Sequence, residues 1–254
     1  MYEEPAEIDQ AVPSTSNGPG EPVDWAQAWS QADQVAGWLK PGQAQILWDE
    51  ARALPPGATA LEIGSHQGRS TVVLGHALAA TGGHVVAVDP FVEGRLFGGL
   101  STKEKFESNI AAAGLEPVVE QVQDYSTSLR PGWTRGFDLL YIDGKHDYWT
   151  LSDDLRWAVH LPAGAAVVIH DCYSSIGVTL GILRHVLFSG SLAYERRSDS
   201  QALFRVRRPS TADRLRILAE LPWWIRNVFL KVLLRFKLRG AARIFGHDSP
   251  YDPY

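Results

Sequence analysis

An α/β fold with a doubly wound, mostly parallel seven-stranded sheet is what this sequence predicts, and three observations predict it. Apolar runs of strand length alternate with amphipathic stretches of helix length from Pro55 to Val206. The first run closes on an acid and two glycines, Glu62, Gly64 and Gly68. The last two runs are joined only by Arg196 to Gln201, too short for a crossover helix, which predicts an antiparallel strand at the C-terminal edge.

Taken in order, residues 1–23 carry no apolar periodicity and several Pro and Gly, so they are expected to be disordered. From Asp24 to Leu54 apolar residues recur at helical spacing, with Pro41 and Gly42 dividing two helices expected to cap the sheet and wall an acceptor pocket. After the turn at Pro55-Pro56-Gly57, strands are predicted over 60–63, 84–88, 117–122, 137–142, 165–169, 192–195 and 202–206. Helices are predicted over 70–80, 103–113, 149–159 and 177–187. Residues 24–209 thus read as one domain with an N-terminal helical cap, and 210–254 as a basic amphipathic helical tail.

Composition bounds the function. The 254 residues, 45% of them apolar, suffice for one sizeable core. A charged-then-apolar leader is missing at Met1, and no apolar run approaches the roughly 18 residues of a spanning helix, so a cytoplasmic protein is expected. The single cysteine, Cys172, excludes an internal disulfide and a cysteine-cluster metal site, and reads as a small core residue. A net charge of −5 argues against a nucleic-acid partner, but it hides an asymmetry: eleven Lys or Arg stand between Arg205 and Arg243 against Asp213 and Glu220 alone.

The chemistry-bearing residues cluster at predicted strand ends. Gly64 and Gly68 form a GxxxG turn with His66 where a dinucleotide fingerprint has its middle glycine, a poor match to a nicotinamide site. Asp89 closes the second strand 27 residues after Glu62, where a carboxylate can accept the hydroxyls of a ribose. The fourth strand delivers Asp143, with His146 three residues on, and the fifth ends His170-Asp171-Cys172. Two neighbouring strands ending in Asp offer the oxygen ligands that a hard divalent cation needs. Each residue also has a plainer reading: a structural glycine turn, an Asp143-Gly144 turn, a helix cap at Asp171, a surface imidazole at His146, a pocket wall at His170.

The ordered set Glu62 to Thr71, Val88 to Phe91, Tyr141 to His146 and Ile169 to Asp171 resembles the class I S-adenosylmethionine-dependent methyltransferases, in particular the metal-dependent sugar and macrolide-sugar O-methyltransferases. The resemblance spans about residues 55–206 and implies a Rossmann-like fold. It implies that Glu62, Gly64, Ser65 and Gly68, with Ser70 nearby, hold the methionine part of the cofactor, that Asp89 holds the ribose, and that Asp124, Tyr125 and Ser126 lie against adenine. It further implies Asp143 and Asp171 as ligands of Mg²⁺ or another divalent cation, with His170, standing where the family has an acid, as the candidate third ligand, and His146 as the base. The implied reaction moves a methyl group to a hydroxyl of a sugar or similarly polyhydroxylated acceptor, a small molecule or oligosaccharide. A bound cation would acidify such a hydroxyl, as it lowers coordinated water from a pKa of 15.7 to about 7.

Competing readings are a non-catalytic cofactor-binding partner protein and a nicotinamide-dependent oxidoreductase. Residues 90–102 read either as a lid over the cofactor or as a surface loop. In the tail, Ile225, Phe229, Val232, Leu233 and Phe236 form one helical stripe flanked by Arg226, Lys231, Arg235, Lys237 and Arg239. That pattern suits peripheral membrane contact, packing on the domain, or a homo-oligomer interface.

Overall fold

A computed structural model describes residues 23–92 and 99–247. The disorder expected of 1–22, the centre of the lid at 93–98 and the last residues of the tail, 248–254, lie outside the described residues. The chain opens with α1 (Trp25–Gln34) and α2 (Pro41–Arg52), followed by β1 (Thr59–Ile63), α3 (Arg69–Ala79), β2 (His84–Val88), α4 (Leu100–Ala112), β3 (Val119–Val122) and α5 (Ser126–Leu129). It continues through β4 (Leu139–Ile142), α6 (Tyr148–Asp154), β5 (Ala166–Ile169), α7 (Ile176–Ile182), β6 (Leu192–Ser198), β7 (Gln201–Val206), α8 (Thr211–Ala219), α9 (Leu221–Arg235) and α10 (Arg239–Ile244).

Local chemistry explains the boundaries. Asp24 and Gln27 close a reciprocal capping box on α1, and Ser210 and Asp213 do the same on α8. Pro41, expected to separate two helices, opens α2 at its first turn, where a missing N–H costs nothing. The helix expected over 149–159 is α up to Asp154 and tightens to 3₁₀ from Leu155 to His160, and α7 widens to a π-helical turn over Leu183–Leu187.

The seven strands form one sheet in the order β3-β2-β1-β4-β5-β7-β6. The first five pair in parallel, and the β6–β7 hairpin completes the edge, β7 running antiparallel to both β5 and β6. Alternation along the strands builds two cores. Ala60, Val85, Leu139, Tyr141 and Val168 face α1 to α4, while Leu61, Val86, Leu140, Ile142 and Ile169 face α6 to α8. Strand order reverses between β1 and β4, so a crevice opens at the carboxyl ends of those strands.

The tail packs by one face only. Asn227, Leu230 and Leu233 of α9 are buried, the leucines against Ala242 of α10, and the Asn227 amide donates to the Tyr173 carbonyl at 3.2 Å. Of the five-residue stripe read from the sequence, Leu233 turns inward, whereas Ile225, Phe229, Val232 and Phe236 stay exposed.

Candidate functional site

At the end of β1 the backbone must pass close to the end of β4. Gly64 has φ +89°, and a Cβ there would lie 2.3 Å from the Asp143 carbonyl oxygen, so glycine alone fits. Gly68 caps α3. Glu62 is fully buried beneath this turn, its two oxygens accepting hydrogen bonds from Ser70 Oγ and Thr71 Oγ1 at 2.5 Å each. Burial pushes its carboxyl up to about 7, against the opposing pull of the two hydroxyls. Glu62 and Ser70, expected at the cofactor, are therefore engaged with each other, tying the first turn of α3 to the end of β1.

Asp89, at the end of β2, accepts from the backbone N–H groups of His66 at 2.9 Å and Phe91 at 2.8 Å. Both donors hold left-handed backbone, φ +48° and +43°, a conformation that costs a residue with a side chain about 1–3 kcal/mol. Strain at two residues thus aims two donors at one carboxylate. Burial raises the Asp89 carboxyl, and these N–H groups oppose it. Above the turn the Trp38 ring lies 5.5 Å from that of His66. Trp38 lines a hollow with Gly37, Ser65, His66, Arg69 and Asp143, so the α1–α2 connection walls the glycine-turn side of the crevice. Arg69 fastens that connection by donating to the Val35 and Gly37 carbonyls and pairing with Asp33. Of the expected adenine contacts, Asp124 is half-buried and Tyr125 exposed, while Ser126 turns away to donate to Asp154 Oδ1 at 2.6 Å.

The ends of β4 and β5 carry the acid–imidazole cluster. Asp143 Oδ2 accepts from the Tyr141 hydroxyl at 3.0 Å, while Oδ1 faces His170 Nδ1 at 3.2 Å and His146 Nε2 at 3.4 Å. On its other side, His146 Nδ1 lies 2.6 Å from Asp171 Oδ2. Asp171 Oδ1 in turn takes hydrogen bonds from Ser174 at 3.2 Å and Ser200 at 3.4 Å. Gly177 lets α7 press onto the loop bearing His146, since a Cβ there would meet the His146 carbonyl at 2.8 Å.

Electrostatically the cluster is a set of coupled pairs. Burial works against an imidazolium at His146, but the hydrogen bonds and charges of Asp143 and Asp171 prevail and raise it to about 10. Burial likewise opposes, and Asp143 prevails in raising, His170. The two carboxyls are lowered by these imidazoles despite their own burial. Asp143, His146 and His170 each offer one ligand atom, all within 4.8 Å of one another. Asp171, expected as a metal ligand with Asp143, is buried and lies 2.6 Å from His146 Nδ1 and 3.4 Å from His170 Nδ1. A second hollow, lined by Gly144, His146, Leu151, His170 and Val178, shares Asp143 with the first.

Sequence reasoning missed Tyr141, although its spacing of two from Asp143 puts both on one strand face. It also missed the N–H groups of His66 and Phe91, which no residue type announces, since any residue carries that donor.

Comparison with known proteins now bears on this geometry. Residues 61–172, from the middle of β1 to just beyond β5, match the model of a methyltransferase domain. The fold is a methyltransferase fold. Cofactor-bound Rv0187 from MTB is 21% identical, with a TM-score of 0.57 over 77% of this chain and 93% of that one. An O-methyltransferase from Bacillus cereus in complex with SAH is 21% identical, TM-score 0.51, over 72% and 89%. TomG from Streptomyces achromogenes, an O-methyltransferase of tomaymycin synthesis in complex with SAM, is 19% identical, TM-score 0.51, over 72% and 89%. At such identities the likeness carries the methyltransferase fold. The matched segment contains the glycine turn, Asp89, Asp143, His146, His170 and Asp171.

Proposed function

We propose that this chain is an S-adenosylmethionine-dependent O-methyltransferase acting on a hydroxyl of a sugar or similarly polyhydroxylated small molecule or oligosaccharide. One observation carries the reading: the glycine-turn hollow and the hollow holding His146 meet at Asp143. A cofactor over the glycine turn would present its methyl group on the side of Asp143 and His146, where an acceptor would approach. The crevice lies at the reversal of strand order between β1 and β4, where nucleotide-type ligands settle in doubly wound sheets.

The cradle fits that cofactor. Gly64 and Ser65 let its methionine part approach the backbone, and Asp89, held by two N–H groups, retains lone pairs for the ribose hydroxyls. Adenine falls to the side of Asp124 and Tyr125. His146 is the proton acceptor. Asp171 holds Nδ1–H and thereby leaves Nε2 on the side of Asp143, the orienting role an aspartate has in a Ser-His-Asp triad. Bound there, the cofactor would supply an activated methyl group to the acceptor oxygen and leave as the neutral thioether, and the hydroxyl proton would pass to His146 Nε2. A positive charge arriving in the crevice opposes the imidazolium and favours the form that accepts it.

A second reading has its own observation. Asp143, His146 and His170 would together hold a divalent cation, and two imidazoles with one carboxylate suit a transition metal better than the Mg²⁺ expected from paired aspartates. Bound, the ion would supply Lewis acidity to a hydroxyl, and Asp171 would serve as the carboxylate that orients the ligating His146.

Methyl transfer from labelled S-adenosylmethionine to a panel of polyols and glycosides tests the proposal. His146→Ala is expected to lower turnover by about 10²–10⁴-fold while leaving cofactor affinity near wild type. Activity that survives in chelator, and is not raised by Mn²⁺ or Mg²⁺, favours His146 as base over His146 as ligand. An unchanged rate in His146→Ala removes it from both roles.

A further inference from the structure

We infer that the outward face of α9, extended by α10, is a docking surface for an anionic membrane. The inference is independent of the reaction assigned to the crevice. Ile225, Phe229, Val232 and Phe236 stand at intervals of four, three and four, one side of a helix, and all four are exposed. Phe245 adds to the patch, setting its ring edge-on to Phe229 at 5.1 Å, and Ile244, its neighbour in the chain, is exposed too. The opposite face of α9 is already used: Leu230 and Leu233 close on Ala242, and Asn227 reaches the Tyr173 carbonyl in the loop after Asp171. The domain therefore holds the helix by its inner side and presents the apolar stripe outward.

Charge selects the occupant. Between Leu221 and His247 the sequence has six Lys or Arg and not one Asp or Glu. Arg235 borders the stripe, and Lys237, Arg239 and Arg243 follow it, all exposed. Two copies meeting face to face across a twofold axis would bring these cations together without a counter-charge. A nucleic acid would match the charge but not a stripe of isoleucine, valine and phenylalanine. A bilayer carrying anionic headgroups matches both, the stripe entering the acyl boundary and the cations meeting phosphates, each gaining about fivefold in affinity near the surface. Contact of this kind is peripheral, since no helix among the described residues is long and apolar enough to cross a membrane.

The test is flotation of the full chain with vesicles of phosphatidylcholine alone and of phosphatidylcholine with phosphatidylglycerol, at low and high salt. Binding is expected only with phosphatidylglycerol, weakened by salt, and weakened at least about tenfold by Phe229→Glu with Phe236→Glu and by Arg235→Glu with Arg239→Glu. Because all four side chains are exposed, circular dichroism and melting should match wild type, and sedimentation should show one unchanged oligomeric state. Equal flotation with both vesicles, or none, overturns the proposal. So does a wild-type dimer that Phe229→Glu with Phe236→Glu turns into monomers, which would make the face an interface between copies.

Discussion

Glu62→Gln is the perturbation whose size follows most directly from the structure. The Glu62 carboxyl is fully buried and raised from 4.5 to about 7, chiefly by loss of water. Because the folded chain binds this proton in a window where the unfolded chain has already lost it, stability falls as pH rises from about 4.5 to about 7. At about 1.4 kcal/mol for each unit of pKa, the loss is about 3 kcal/mol above that window. Glutamine keeps the shape of the protonated acid and can still bond Ser70 and Thr71, yet it has no proton to release. The stability difference, variant minus wild type, should therefore climb with pH by about 3 kcal/mol, which for a domain of this size is a rise of about 10 °C in relative melting temperature. Thermal unfolding of both proteins without ligand, from pH 4.5 to 8, reads this difference and cancels the other titrating groups. A difference that does not change with pH would refute the argument that desolvation dominates at Glu62.

Gly64→Ala should destabilise the fold by about 2–4 kcal/mol in urea unfolding, because its Cβ meets the Asp143 carbonyl and its φ is left-handed; a loss below about 1 kcal/mol would mean that the β1 and β4 ends are not in contact. The Asp-held His146 predicts that kcat/KM rises with pH on the alkaline side of neutrality, as the imidazolium raised to about 10 gives up its proton. In Asp171→Asn that rise should move to lower pH while kcat falls about 10²–10⁴-fold, and an unmoved profile would dissociate Asp171 from His146.

The sheet was legible because its signals are local and repeated. Runs such as Val85 to Val88 and Ala166 to Ile169 are buried on both faces and so read as continuous apolar segments, and the short Arg196–Gln201 link leaves only a hairpin. Asp89, Asp143, His146 and His170 were legible for the same reason: each sits at or just past a strand end, where period and terminator coincide. What the sequence hides is which way a side chain turns once it arrives. Asp171 and Asp143 look equivalent in sequence, yet Asp171, on left-handed backbone, is buried against His146 Nδ1, while Asp143 faces His146 Nε2 and His170. Glu62 and Ser126 are similarly spent on neighbours, Ser70 and Asp154, that lie elsewhere along the chain. In α9, composition gave an apolar stripe but not its partner, and packing drew Leu233 inward with Leu230 while leaving Phe229 and Phe236 outside.

The account rests on the crevice between the glycine turn and Asp89 being a site for S-adenosylmethionine, and calorimetric titration with S-adenosylhomocysteine measures that directly. The structure predicts one site per chain, weakened at least about tenfold in Asp89→Ala by loss of the ribose acceptor, with no heat from NAD under the same conditions. Binding of NAD instead, or equal affinity for S-adenosylhomocysteine in wild type and Asp89→Ala, would contradict it.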